Sequence, residues 1–237
     1  MKGGVPVAEL PPLSCRPLSG NALKILAAVF MTIDHMGLML FPGQPVFRIL
    51  GRLALPIFAF MIAEGCKYTR NRRKYFGMVF GLGLICQTVY FFFDGSMYLS
   101  ILITFSLSIL VIYGLQHFKK HRTVLSGLVF AGSVAAVWGL NQVLTIDYGF
   151  WGCMLPVFAA LPHGTKYDRN GIRTALLGVG LVLLWMDLGG FQLYALLALP
   201  LLLAYSGKRG KWNLKYFFYI FYPAHLVILQ ALAFLAT

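Results

Sequence analysis

Asp34 and His35 stand side by side inside ILAAVFMTIDHMGLMLF, residues 25 to 41, a stretch otherwise apolar enough to cross a bilayer. An ionisable side chain near the bilayer centre costs roughly 2.5 to 3.5 kcal/mol on insertion scales, so it calls for a partner or a task. Arg48 and Arg52, in FRILGRLALPIFAFMIAEG, fall where they could supply the partner. An Asp34–Arg52 ion pair would hold a helical hairpin together. The same neighbourhood suits catalysis, because a histidine beside an acid and close to a buried arginine can act as a general base near neutral pH. A second histidine, His225 in YFFYIFYPAHLVILQ, falls at similar depth. Taken alone it reads as a packed histidine bonded to a carbonyl; beside His35 it is a further site candidate.

Lys24 precedes His35 by eleven residues. On a helix that is about 1100°, within roughly 20° of the same face, and about 16.5 Å of rise. A lysine at the mouth of such a face can hold a phosphate while the histidine works deeper, and the same lysine is what snorkelling at a membrane boundary produces. The four cysteines form no CxxC pair and lack metal-ligand spacing with histidine, so neither a disulfide nor a metal site is expected.

These residues need helices to position them. With 59% hydrophobic and 11% charged residues in 237, the chain reads as a polytopic all-α membrane bundle. Apolar runs suggest about nine spans, near 21–41, 47–66, 75–93, 99–118, 123–144, 149–162, 172–187, 191–205 and 216–236, the sixth to eighth being short. Residues 1–20, rich in proline, read as a cytosolic leader and 21–237 as one membrane domain.

Charge placement gives the orientation. The loops 67–74, 119–122, 166–173 and 207–215 carry five, three, three and four Lys or Arg, whereas FPGQP, DGSMYLS, TIDYG and DLGG carry none. This asymmetry places the N-terminus inside and, with an odd number of spans, the C-terminus outside. The net charge of +13 then reflects topology and anionic lipid headgroups and needs no nucleic acid.

Five stretches together resemble the TraX family: LKILAAVFMTIDHMGLMLFP (23–42), FRILGRLALPIFAFMIAEGCKYTRNRRKY (47–75), ITFSLSIL (103–110), DYGFWG (147–152) and YALLALPLLLAYSGKRGKWNLKYFFYIFYPAHLVIL (194–229). The best-known member of that family is associated with N-acetylation of conjugative pilin. The family resembles wider transmembrane acyltransferases, including acyltransferase-3 and heparan glucosaminide acetyltransferase, and Lys24 with His35 is similar to the basic-x10-His pattern of acyltransferase-3 first helices. The resemblance implies an enzyme of a bacterial inner membrane that takes an acetyl group from cytosolic acetyl-CoA. The acceptor would be an amine or hydroxyl on a peptide, glycan or lipid-linked sugar.

On that reading Lys24, with Arg70, Arg72 or Arg73, holds the phosphates of acetyl-CoA, and His35 deprotonates the acceptor. Asp34 or Glu64 orients or charge-balances the site, and Arg52 stabilises the oxyanion or binds an anionic acceptor. The rival readings are a transporter or flippase, in which buried ionisable groups form a substrate path, and a non-catalytic envelope assembly partner.

Overall fold

Ser19 starts the first helix: its Oγ accepts from the Ala22 N–H at 3.2 Å, satisfying one of the donors a helix start leaves open, and α1 runs Gly20–Met39. The computed structural model describes residues 17–95, 97–212 and 214–236. Most of the expected leader, with Cys15, lies outside the described residues. After α1 follow α2 (Pro45–Gly51), α3 (Ala54–Tyr68), α4 (Arg72–Asp94), α5 (Ile101–His121), α6 (Val124–Val143), α7 (Gly149–Ala160) and α8 (Asn170–Leu188). A 3-10 turn over Gly190–Ala198 leads to α9 (Leu199–Leu203), and α10 (Lys215–Ala236) closes the order.

Each of the nine apolar segments is helical, and seven stretches are long and apolar enough to cross a membrane, with α2 and α3 counting as one run from Pro45 to Tyr68. The other two, Gly149–Ala160 and Gly190–Leu203, are shorter. At 12 residues α7 reaches about 18 Å, well under the ~30 Å hydrocarbon core. The segment expected near 172–187 is longer than its apolar run suggests, since Asn170–Leu188 gives 19 residues of helix. Asn170 contributes there by donating to the Leu202 carbonyl at 2.7 Å, which ties the start of α8 to α9.

The break between α2 and α3 has a covalent cause. Pro56 has no N–H for the carbonyl of Arg52 four residues earlier, and its ring crowds that carbonyl. The chain tightens there, with the Leu53 N–H turning to the Leu50 carbonyl at 3.2 Å.

Helices α3, α5 and α7 form the centre, where Phe60, Phe105 and Leu155 are fully buried, and α8 packs across α7. By contrast, α6 leans mainly on α5 and exposes Leu125, Leu128, Val129 and Trp138, as a lipid-facing helix would. Near the start of α1, the backbone N–H groups of Gly20 and Asn21 donate to the carbonyls of Lys208 and Arg209 at 2.8 and 2.9 Å. Leu18 pairs with Tyr205 in a short parallel bridge. This stapling carries the basic loop 207–211 over the Lys24 end of α1.

Candidate active site

Two glycines let α1 and α2 meet closely. A Cβ on Gly37 would run into the Phe47 side chain, and one on Gly51 into the Asp34 carboxylate. The close approach places Asp34 between two arginines: Arg52 Nη2 donates to both carboxylate oxygens at 2.7 Å, and Arg48 Nη1 lies 3.0 Å from Oδ2. Arg52 Nη1 also donates to the Tyr148 hydroxyl at 3.1 Å. With its Nε turned to the Arg48 carbonyl at 3.4 Å, each of the three nitrogens of the buried guanidinium has a protein partner. The ion pair expected between Asp34 and Arg52 is therefore present, with Arg48 as a third member.

Tyr148 reaches this group through an unusual backbone. At φ 60° it occupies the left-handed region, rare for a bulky residue, and the following Gly149 does too, at φ 59°. The turn is anchored by the Asp147 N–H donating to the Leu99 carbonyl at 3.0 Å and by Thr104 Oγ1 donating to the Asp147 carbonyl at 2.9 Å. It presents the Asp147 carboxylate, whose Oδ1 lies 3.4 Å from the Tyr98 hydroxyl. Burial pushes the Asp147 carboxyl up to about 7, against the lowering pull of Arg52.

His35 and His225, 190 residues apart, are joined by a hydrogen bond of 2.8 Å between His35 Nδ1 and His225 Nε2. Their rings stack with centroids 5.0 Å apart. His225 Nδ1 lies 3.1 Å from the carbonyl oxygen of Phe221. A carbonyl only accepts, so His225 Nδ1 carries the proton there. In the neutral ring Nε2 is then the acceptor, and His35 Nδ1 is the donor to it. The remaining nitrogen, His35 Nε2, is left with its lone pair and no partner among the described residues. His225 thus meets a carbonyl, as the simpler reading has it, and also fixes the tautomer of His35.

Two cavities lie along α1. One, of about 520 Å³, lies along the first turns of α1, where Lys24, Asn21 and Arg209 stand at one end and aromatic side chains including Phe58, Phe105 and Phe221 line the rest. The other, of about 420 Å³, lies beside the last turns of α1 and is lined by Asp34, His35, Arg48, Tyr98, Asp147 and Gln192 among others. Tyr222 borders both.

The candidates read from the sequence separate accordingly. Asp34, His35 and Arg52 line the second cavity, with His225 bonded behind His35. Lys24 and Glu64 line the first. Glu64 is far along α3 from the histidines and is engaged by Arg173 and by the Tyr205 hydroxyl at 2.8 Å. Arg70, Arg72 and Arg73 line neither cavity, and Arg72 stacks over the Tyr113 ring at 5.2 Å. Arg209 takes the place beside Lys24 that those residues were expected to share. Sequence reasoning also missed Arg173, Tyr98, Asp147, Tyr148 and Tyr222 as contributors. For Asp147 and Tyr148 the signal was the polar pair opening DYGFWG between two apolar runs.

Residues 19–233 match the family model described as TraX protein. The chain belongs to the TraX family. A probable fimbrial assembly protein of Dichelobacter nodosus, FimC of serogroup H1, is 28% identical over 89% of this chain and 94% of its own length. An uncharacterised protein of Rickettsia prowazekii (strain Madrid E) is 32% identical over 54% of this chain and 50% of its own. No solved structure matches the chain. The TraX match spans both cavities and both histidines, so the site lies within the part of the chain that defines the family.

Proposed function

We propose that this member of the TraX family is an integral membrane acetyltransferase, moving an acetyl group from acetyl-CoA to an amine or hydroxyl acceptor on a pilin-like peptide, a glycan or a lipid-linked sugar. The observation that carries the reading is the open lone pair of His35 Nε2, held by His225, in a polar cavity that shares its Tyr222 wall with an aromatic cavity with a basic mouth. A base in one fixed tautomer, in one of two binding spaces that meet at a shared wall, suits a transfer between two substrates. The name of the fimbrial assembly relative supports a pilin-like acceptor.

Lys24 and Arg209 fit the phosphates of the donor, and the tyrosines and phenylalanines beyond them fit its thin pantetheine arm. The bound donor supplies the activated thioester. His35 Nε2 receives the acceptor's proton, and His225 holds the ring and spreads the charge that results. Arg52 and Arg48 hold the Asp34 carboxylate and so fix the hairpin that carries His35. The protein sits in the bacterial inner membrane with its N-terminus inside, so the Lys24 end faces cytosolic acetyl-CoA, and the two short apolar segments complete a nine-segment bundle.

Purified protein in detergent, given acetyl-CoA and envelope extract, should release CoA. His35→Ala should lower that release by about 10²-fold or more while leaving acetyl-CoA binding intact, because the base acts on the acceptor. Turnover of His35→Ala near the wild-type rate would rule out the histidine-base mechanism.

A further inference from the structure

Three observations converge on Tyr222. It is 91% buried, as its 9% exposure shows, yet it borders both cavities. Its ring is locked edge-on to His225, with centroids 5.5 Å apart and planes at 88°, and edge-on to Phe58 at 6.4 Å. Its hydroxyl has no hydrogen-bond partner among the described residues, while its neighbours are committed: Arg52 to Asp34 and Tyr148, Glu64 to Arg173 and Tyr205. A rigidly held donor with no protein partner, on the wall that two cavities share, is free to donate to a group bound there.

We infer that Tyr222 is a catalytic residue whose hydroxyl donates to the carbonyl oxygen of the acyl group being transferred. The inference rests on the acetyltransferase reading above and deepens it. Tyr222 Oη–H stays on its own oxygen and donates as negative charge gathers on the carbonyl oxygen. His35 Nε2 takes the proton of the acceptor's nitrogen or oxygen, which bonds to the acyl carbon. The bond broken is between that carbon and sulfur, and His35 passes its proton to the departing thiol. No oxidant, reductant or further reactant is required. The role suits Tyr222 better than Arg52, because every donor nitrogen of Arg52 already faces protein.

The test is Tyr222→Phe in the full chain, which removes one oxygen and keeps both ring contacts. Two readouts are made: equilibrium binding of acetyl-CoA against CoA, and CoA release. The wild type should prefer acetyl-CoA over CoA by about fivefold, the worth of one hydrogen bond, and Tyr222→Phe should bind the two equally. CoA release should fall about 10²-fold in kcat with KM for acetyl-CoA changed little. 3,5-Difluorotyrosine at position 222, a more acidic phenol of nearly the same shape, should retain turnover and move the alkaline limb of the pH–rate profile to lower pH, which a purely structural role would not do.

If the wild type binds and turns over acetyl-CoA while Tyr222→Phe keeps the donor preference and a rate within threefold, the inference is overturned and the acetyltransferase reading stands. Wild-type protein that neither binds acetyl-CoA nor releases CoA would instead remove the reading itself, and the inference with it. A Tyr222→Phe protein with a lowered melting temperature and lost CoA binding would show a packing role and also overturn the inference.

Discussion

The proton positions in the histidine pair follow from a single carbonyl. Because the Phe221 oxygen can only accept, each bond along the chain from Phe221 through His225 to His35 has its donor fixed, and the lone pair emerges at His35 Nε2. Asp147, across the second cavity, sets a different electrostatic condition. Its carboxyl rises from the usual 3.8 to about 7. Between those values the unfolded chain has released the proton and the folded chain retains it, so stability falls as pH rises through that window, and the loss is complete above it. Asp147→Asn removes this penalty. Its melting temperature in detergent should exceed that of the wild type at about pH 8, and the gap should close by about pH 4. A gap of constant size across that range would mean that the folded protein ionises Asp147 as readily as the unfolded chain does.

Among the elements, the α1–α2 hairpin is the piece on which the site depends. Pro56 forces the break that ends α2 at Gly51, and Gly51 gives the Asp34 carboxylate room to reach Arg48 and Arg52. Gly51→Ala should displace Asp34 and cost about 1–3 kcal/mol, as overpacking in a close contact does. Thermal melting in detergent would read the loss. Gly81 on α4 is the control, since a Cβ there meets nothing within 4 Å and Gly81→Ala should leave the melting temperature unchanged or slightly raised. Equal melting of the two variants would mean that the hairpin relaxes around the added methyl.

For the molecule as a whole, the proposed direction of transfer requires the Lys24 end of the bundle to lie inside. Single cysteines at Gly43 and Gly189 should then react with an impermeant thiol reagent in intact cells, whereas one at Asn71 should react only after permeabilisation. With Cys15 replaced by serine, the remaining native cysteines, Cys66, Cys86 and Cys153, are buried and contribute little background. Labelling at Asn71 in intact cells would reverse the orientation and place the basic mouth away from cytosolic acetyl-CoA.

The sequence by itself determined the helices and the chemistry of their rare polar residues. Apolar runs of membrane length admit few other structures, and an ionisable residue inside one demands a partner, so Asp34 with Arg52 and the pairing of interest between His35 and His225 were legible. Helical periodicity also placed Lys24 on the His35 side of α1, but it could not show that the two would line different cavities. Only the tertiary structure decided which partners met across long separations. Arg209 reaches Lys24 because loop 204–209 is stapled to the start of α1, and Arg173 reaches Glu64 across 109 residues of chain. The left-handed turn at Tyr148 and the unspent hydroxyl of Tyr222 were likewise out of reach. Periodicity fixes the face a residue occupies on its own helix, whereas packing between helices decides what that face meets.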